Sequence, residues 1–168
     1  MLVEQAAAAE DERFGVFLSH SSNEPAAILL GVYETLVDAK LSVYVDSYSD
    51  PQLDPDHVGR GTAELLRHRL RSSASLLYVH SRYFSRSRWM PWELGFADAH
   101  CGRVGVLPVT LGRTGIYKGE EFLSLYPYVD RETIRDSSKR ILWINQSTRA
   151  YASLDRWVRG EEAIRTRD

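Results

Sequence analysis

The chain has 168 residues, 43% of them hydrophobic, which is enough for one globular domain with a real core. A net charge of -2 and a pI near 6.2 give no electrostatic case for nucleic acid as the main partner. Cys101 is the only cysteine, which excludes an intrachain disulfide and makes a reduced, cytosolic compartment the default expectation.

The opening segment, M-L-V-E-Q-A-A-A-A-E-D-E-R, is alanine-rich but acidic and lacks the basic and apolar regions of a secretion signal. Residues 1–12 are read as a flexible tail and 13–168 as one domain, with no repeats and no low-complexity linker to mark a second. No stretch approaches the roughly 20 apolar residues that span a bilayer, so no membrane partner is expected.

Phe14 to Ser19 (F-G-V-F-L-S) is a short, nearly continuous apolar run, as in a strand buried on both faces. A polar loop follows, then a helical stripe of Leu29, Val32, Leu36 and Ala39, with Asn23 and Pro25 as its start signal. Leu41 to Val45 (L-S-V-Y-V) is a second strand. The loop from Asp46 to Gly61 is long and aspartate-rich, with prolines at 51 and 55, and loops of that length in compact domains are usually functional or mobile. Ala63, Leu66 and Leu70 predict a second helix and Ser75 to Val79 (S-L-L-Y-V) a third strand. A helix rich in aromatic residues follows, then a fourth strand at Val104 to Val109 and a tyrosine-rich irregular stretch. Arg140 to Ile144 (R-I-L-W-I) is read as the fifth strand, with a last helix near Leu154 to Val158. Strands alternating with helices imply a parallel sheet covered on both faces. Ligands then bind beyond the carboxyl ends of the strands, from which the Ser19 to Ser22, Asp46 and His80 to Arg88 segments all leave.

One residue in this pattern is out of place. In S-R-W-M-P-W-E-L-G-F-A-D-A, Ser87 to Ala99, a single carboxylate, Glu93, falls at helical spacing among Trp89, Trp92, Phe96, Ala97 and His100. An ionised acid buried against indole rings is costly without a partner, which invites a functional reading; a rim position or a first-turn glutamate favoured by the helix dipole is the alternative. Pro91 has to fall in the first helical turn, which sets Glu93 near the positive end of the dipole. Two arginine groups flank the segment. Arg67, Arg69 and Arg71 read as a solvated helix face, whereas Arg82, Arg86 and Arg88 either meet phosphates or are simply exposed. The remaining histidines, His57, His68, His80 and His100, show no metal-ligand spacing with Cys101 or with one another, so no metal is expected. No G-x-G-x-x-G follows the first strand, which removes the Rossmann dinucleotide reading.

F-L-S-H-S-S after the first strand, V-Y-V-D leading into the long loop, and S-R-W-M-P-W-E-L-G in the third helix together resemble bacterial TIR (Toll/interleukin-1 receptor) domains, over about Phe14 to Ile144. The resemblance implies a single flavodoxin-like α/β domain with a central parallel five-stranded sheet and helices on both faces. It also implies that Glu93, the acid of W-x-x-x-E, is the catalytic glutamate of an enzyme that cleaves NAD+ at the nicotinamide glycosidic bond. The chemistry suits one carboxylate: nicotinamide leaves a cationic pyridinium as a neutral molecule, so no general acid is needed, and an anion beside the oxocarbenium-like ribose supplies the stabilisation.

The same resemblance makes Trp89, one turn before Glu93, a residue that holds ribose or adenine, with a core tryptophan as the alternative; Trp92 and Phe96 are read as core. Ser19, His20 and Ser21 fall where the family lines its nucleotide pocket, and Asp46 at the mouth either bonds a ligand hydroxyl or caps its loop. Arg88 completes the candidate binding set. A serine-hydrolase reading of Ser-His has no orienting acid to support it. The 46–61 loop corresponds to the one TIR domains use in assembly but lacks the family's Pro-Gly pair. The expected substrate is NAD+, with no cofactor, and the expected products are nicotinamide and ADP-ribose or a cyclic ADP-ribose isomer acting as a signal in antiphage defence. Homo-oligomers through TIR–TIR contacts and a separate effector protein for the product are the expected partners. A non-enzymatic TIR adaptor and a nucleoside deoxyribosyltransferase-like enzyme are the competing function classes.

Overall fold

The computed structural model describes residues 9–50, 59–84, 87–110, 123–134 and 137–167. Strand β1 (Phe14–Ser19) is followed by helix α1 (Ala26–Asp38), the two-residue strand β2 (Val43–Tyr44) and a single helical turn, α2 (Asp46–Ser49). Helix α3 (Arg60–Arg71), strand β3 (Ser73–His80), helix α4 (Trp89–His100) and strand β4 (Val104–Pro108) come next. The last third is strand-rich: β5 (Tyr128–Thr133), β6 (Arg140–Asn145), β7 (Ala150–Ser153), the short helix α5 (Leu154–Val158) and β8 (Arg165–Thr166).

All these strands lie in one sheet in the order β2-β1-β3-β4-β5-β6-β7-β8. From β2 to β5 every pairing is parallel, with Val16 opposite Val43 and Ser75, Leu77 opposite Gly105, and Val106 opposite Tyr128. From β5 onward the pairings are antiparallel.

The expected five-stranded parallel sheet is therefore present, but its edge and extent differ. The strand expected fifth, at Arg140, is the sixth, and it runs antiparallel to β5. The reason is the length of the connection. A parallel crossover needs a dozen or more residues, and only 134–139 separate β5 from β6, which permits a hairpin alone; Ile134 N–H donates to the Lys139 carbonyl across it. Strand β5 itself occupies part of the stretch read as irregular, because only Val129 of Y-V-D-R-E-T is buried and no apolar run announces it.

Successive side chains of a strand face opposite ways, and β3 feeds two cores at once. Leu77 and Val79 join Val16, Leu18, Leu29 and Leu36 beneath α1. Leu76 and Tyr78 join Phe17, Leu66, Leu70, Met90 and Leu94 beneath α3 and α4. Each fully buried side chain of this kind contributes about 1.5–3 kcal/mol, which is what holds the two helical layers to the sheet. Helix α4 ends at Cys101, after which Gly102 takes φ +62°, a conformation that L side chains rarely adopt, and its N–H reaches back to the Ala97 carbonyl.

Of the three α3 arginines read as a solvated face, Arg71 is exposed and Arg67 half-buried, but Arg69 is not solvated. Arg69 is 3% exposed and forms a two-pronged ion pair with Asp50, Nε to Oδ2 at 2.9 Å and Nη2 to Oδ1 at 3.1 Å. Tyr44 Oη donates to the same Asp50 Oδ2 at 2.9 Å, and Arg69 Nη1 donates to the Ala9 carbonyl at 2.7 Å. Arg67 and Arg71 lie over the Trp92 and Phe96 rings of α4, 5.6 and 5.5 Å from their centroids. A guanidinium is weakly hydrated and planar, so it takes these places where lysine would not. The Asp46 to Gly61 loop opens with α2; its 51–58 portion lies outside the described residues.

Breaking the buried pair from one side leaves an uncompensated charge. Asp50→Ala is expected to lower unfolding free energy by about 3–5 kcal/mol and Tyr44→Phe by about 1 kcal/mol, measured by denaturant titration. A loss under about 1 kcal/mol for Asp50→Ala would mean that Arg69 reaches water.

Candidate active site

Because β1, β2 and β3 are parallel, their carboxyl ends meet along one edge, and the candidate residues leave from it. Ser19 is the last residue of β1, on the face shared with Phe17 and turned toward α4. Asp46 opens α2 one residue after β2, and α4 begins nine residues beyond the end of β3. Pro91 is the third residue of α4, within the turn whose N–H groups have no intrahelical acceptor, so it breaks no bond.

Glu93 is 6% exposed and shares the inward face of α4 with Met90, Leu94 and Ala97. The rings expected beside it form a separate, half-exposed stripe: Trp89 stands edge-on to Trp92 at 5.3 Å between centroids, and Phe96 and His100 continue the ladder at 5.9 and 6.0 Å. Glu93 thus sits at the seam between a buried apolar face and an aromatic ladder. Trp92 and Phe96 border the core and are roofed by arginines, rather than lying inside it.

Four candidates are brought together by direct bonds. Ser19 Oγ donates to Glu93 Oε2 at 2.5 Å. Next to it in the chain, His20 has Nε2 2.7 Å from Asp46 Oδ1 and Nδ1 3.0 Å from the Ser21 carbonyl. The His20 side chain is 8% exposed and that of Asp46 41%, so the pair has a buried end and a wet one. Burial drives the Glu93 carboxyl from its ordinary 4.5 up to about 7, against the Ser19 hydrogen bond; the Asp46 charge adds to the rise and that of His20 opposes it. Burial also opposes ionisation of Asp46, but the hydrogen bond and charge of His20, with backbone N–H donors, hold it below the usual carboxylate range.

The other candidates stand apart. The Ser21 hydroxyl, also buried, accepts from the Asn23 N–H and shapes the local turn. Arg88 is exposed at the residue before α4, and Arg82 is exposed with its guanidinium over Tyr83; Arg86 lies outside the described residues. Among the described residues no group of three or more His, Cys, Asp or Glu side chains could hold a metal ion, and no helix is long and apolar enough to cross a membrane.

One buried acid escaped the sequence reading. Glu24 lies in the loop after β1 and accepts from Ser81 Oγ, just past β3, at 2.6 Å, tying together the two loops that flank the site. Its place at a helix entrance carried no signal of this, because a carboxylate there is ordinarily solvated and its partner Ser81 lies 57 residues on.

A sheet of this order, parallel from β2 to β5, with an acid on the helix after β3 bonded to the end of β1, defines a TIR-type domain. The TIR domain of the Toll-related receptor TRR-2 from Hydra magnipapillata superposes with a TM-score of 0.51 at 16% identity, over 68% of this chain and 82% of that one, which shows the fold. No protein-family model matches the chain. A protein of Bacillus cereus strain MSX-D12 named as a probable 3' cyclic ADP-D-ribose synthase, ThsB', is 39% identical over 146 residues, covering 86% of this chain and 75% of that protein. The chain belongs to the bacterial TIR-domain family that includes this synthase.

The buried acid has a thermodynamic signature. Between about 4.5 and 7 the folded state holds the Glu93 proton and the unfolded state does not, so stability falls as pH rises through that window. Glu93→Gln, which keeps an acceptor for Ser19, is expected to match the wild type at about pH 4, below that window, and to exceed it by about 3 kcal/mol at about pH 8. Thermal or urea unfolding across that range checks this, and a difference independent of pH would place the carboxylate in water.

Proposed function

We propose that the protein cleaves NAD+ at the bond between nicotinamide and ribose and closes the remaining ADP-ribose into a cyclic isomer, with ADP-ribose as the product when water intervenes. The observation that carries this reading is Glu93, an acid buried on α4 at the carboxyl edge of the sheet and tethered there by Ser19. The bonding pair of the glycosidic bond leaves with nicotinamide, which departs neutral, and the anion of Glu93 faces the cationic ribose that remains. In a site with little water such an anion is worth far more than in solution. A hydroxyl or ring nitrogen of the same ADP-ribose then captures the cation and loses a proton, or water does so. Cyclisation is favoured here because the relative is named as a cyclic ADP-ribose synthase.

In this reading Ser19 orients the carboxylate, and Asp46, at the exposed end of its pair, accepts a hydroxyl of the substrate. Ser21 and His20 complete the wall after β1. Trp89, half-buried and edge-on to Trp92, offers a flat face that excludes water from the reactive carbon, and Arg88 supplies charge for the phosphates. The enzyme acts in the cytoplasm in antiphage defence, assembles through contacts between TIR domains, and passes its product to a separate effector protein.

Incubating concentrated protein with NAD+ and resolving nicotinamide, ADP-ribose and cyclic isomers tests the proposal. Glu93→Gln is expected to lose at least about 100-fold in nicotinamide release, and Trp89→Ala to shift product from cyclic to linear. Absence of turnover in the wild type, or full activity in the Gln variant, would overturn the reading. An unchanged product ratio would make Trp89 a packing residue.

A further inference from the structure

We infer that His20 is a positioning residue for Glu93: clamped between Asp46 and the Ser21 carbonyl, its ring is a fixed imidazolium that favours the ionised form of the neighbouring carboxyl. This rests on Glu93 being the reacting group.

The case begins with the two acceptors. A neutral imidazole has one N–H and one lone pair, whereas the imidazolium has two N–H donors. Nε2 faces an oxygen of Asp46 at 2.7 Å and Nδ1 a backbone carbonyl at 3.0 Å; Asp46 is held below the usual carboxylate range and so is ionised, and neither oxygen can donate. Either neutral tautomer would set a lone pair against one of those oxygens, in a ring too buried for water to relieve it. Only the doubly protonated ring satisfies both contacts.

Burial is the largest influence on the ring and works against its charge. The hydrogen bond and charge of Asp46, the Ser21 carbonyl and the charge of Glu93 outweigh it, and the ring's pKa is raised. The charged groups facing His20 are thus Asp46 on α2 and Glu93 on α4, and those facing Glu93 are His20 and Asp46. Asp46 has two opposed effects on the site. It holds the cation in place, and it is itself an anion that favours the protonated form of Glu93.

The two members of the pair therefore differ in what their loss does. Removing His20 takes away the cation and leaves the Asp46 anion unopposed, and both changes push Glu93 toward its neutral form. Removing Asp46 takes away an anion but also loosens the ring's hold on its second proton, and these changes offset each other. A residue that merely contacted substrate would raise KM on removal and leave the ionisation of Glu93 where it was.

The test uses the full chain. In the pH profile of kcat/KM for NAD+, His20→Gln is expected to move the acid limb upward by about one pH unit, a tenfold loss at a fixed pH below it, and Asp46→Asn by much less. Nuclear magnetic resonance of isotope-labelled protein supplies readouts that need no turnover. The His20 ring nitrogens of the wild type should both carry protons at neutral pH, and the Glu93 carboxyl should titrate higher in His20→Gln. A neutral ring in the wild type, or an unmoved Glu93 titration in the variant, overturns the inference. Failure of turnover alone would sink the proposed activity and leave these two measurements decisive. Should His20→Gln not fold, the ring protonation of the wild type still decides.

Discussion

The hydrogen bond from Ser19 to Glu93 joins the end of the first strand to the start of the fourth helix, and the site is organised around it. It needs β1 and β3 in parallel register, so that Ser19 ends on the face that α4 covers, and it needs α4 to turn a charge inward among Met90, Leu94 and Ala97. An acid in that position is held by one hydroxyl and balanced by one nearby ion pair. Its ionisation consequently answers to small changes in its surroundings, which is a useful property in a catalytic group and a cost to the fold.

The balance is struck with little material. His20 and Asp46 are joined through Nε2 and Oδ1, and together they bring the site no net charge. What they bring is direction, with the cationic ring at the buried end and the anion at the wet end. In the proposed reaction, a substrate with a positive pyridinium and a negative pyrophosphate meets an edge on which the protein's own charges are already separated.

Much of this was legible in the sequence. The apolar runs at Phe14, Ser75 and Val104 are the central parallel strands, and W-x-x-x-E marked the acid on its helix. Side-chain partners were harder to read, since His20 and Asp46 are 26 residues apart and meet only because β1 and β2 are neighbours. Strand β5 hides behind exposed polar residues. Arg69 hides for the opposite reason: in R-H-R-L-R it is indistinguishable from its solvated look-alikes, and the acid that buries it, Asp50, lies across a loop. Composition reports how polar a segment is, whereas only the fold reports which polar groups find each other.

The ion pair between Asp50 and Arg69 has an evolutionary side as well. It closes a span of 19 residues at its base, between the end of α2 and the last turn of α3. Once a span is clasped at its root, the entropy of the chain between grows slowly with length, by about 0.6 kcal/mol for each doubling. Insertions and substitutions beyond the clasp are therefore inexpensive and leave Asp46 and the strand edge where they were.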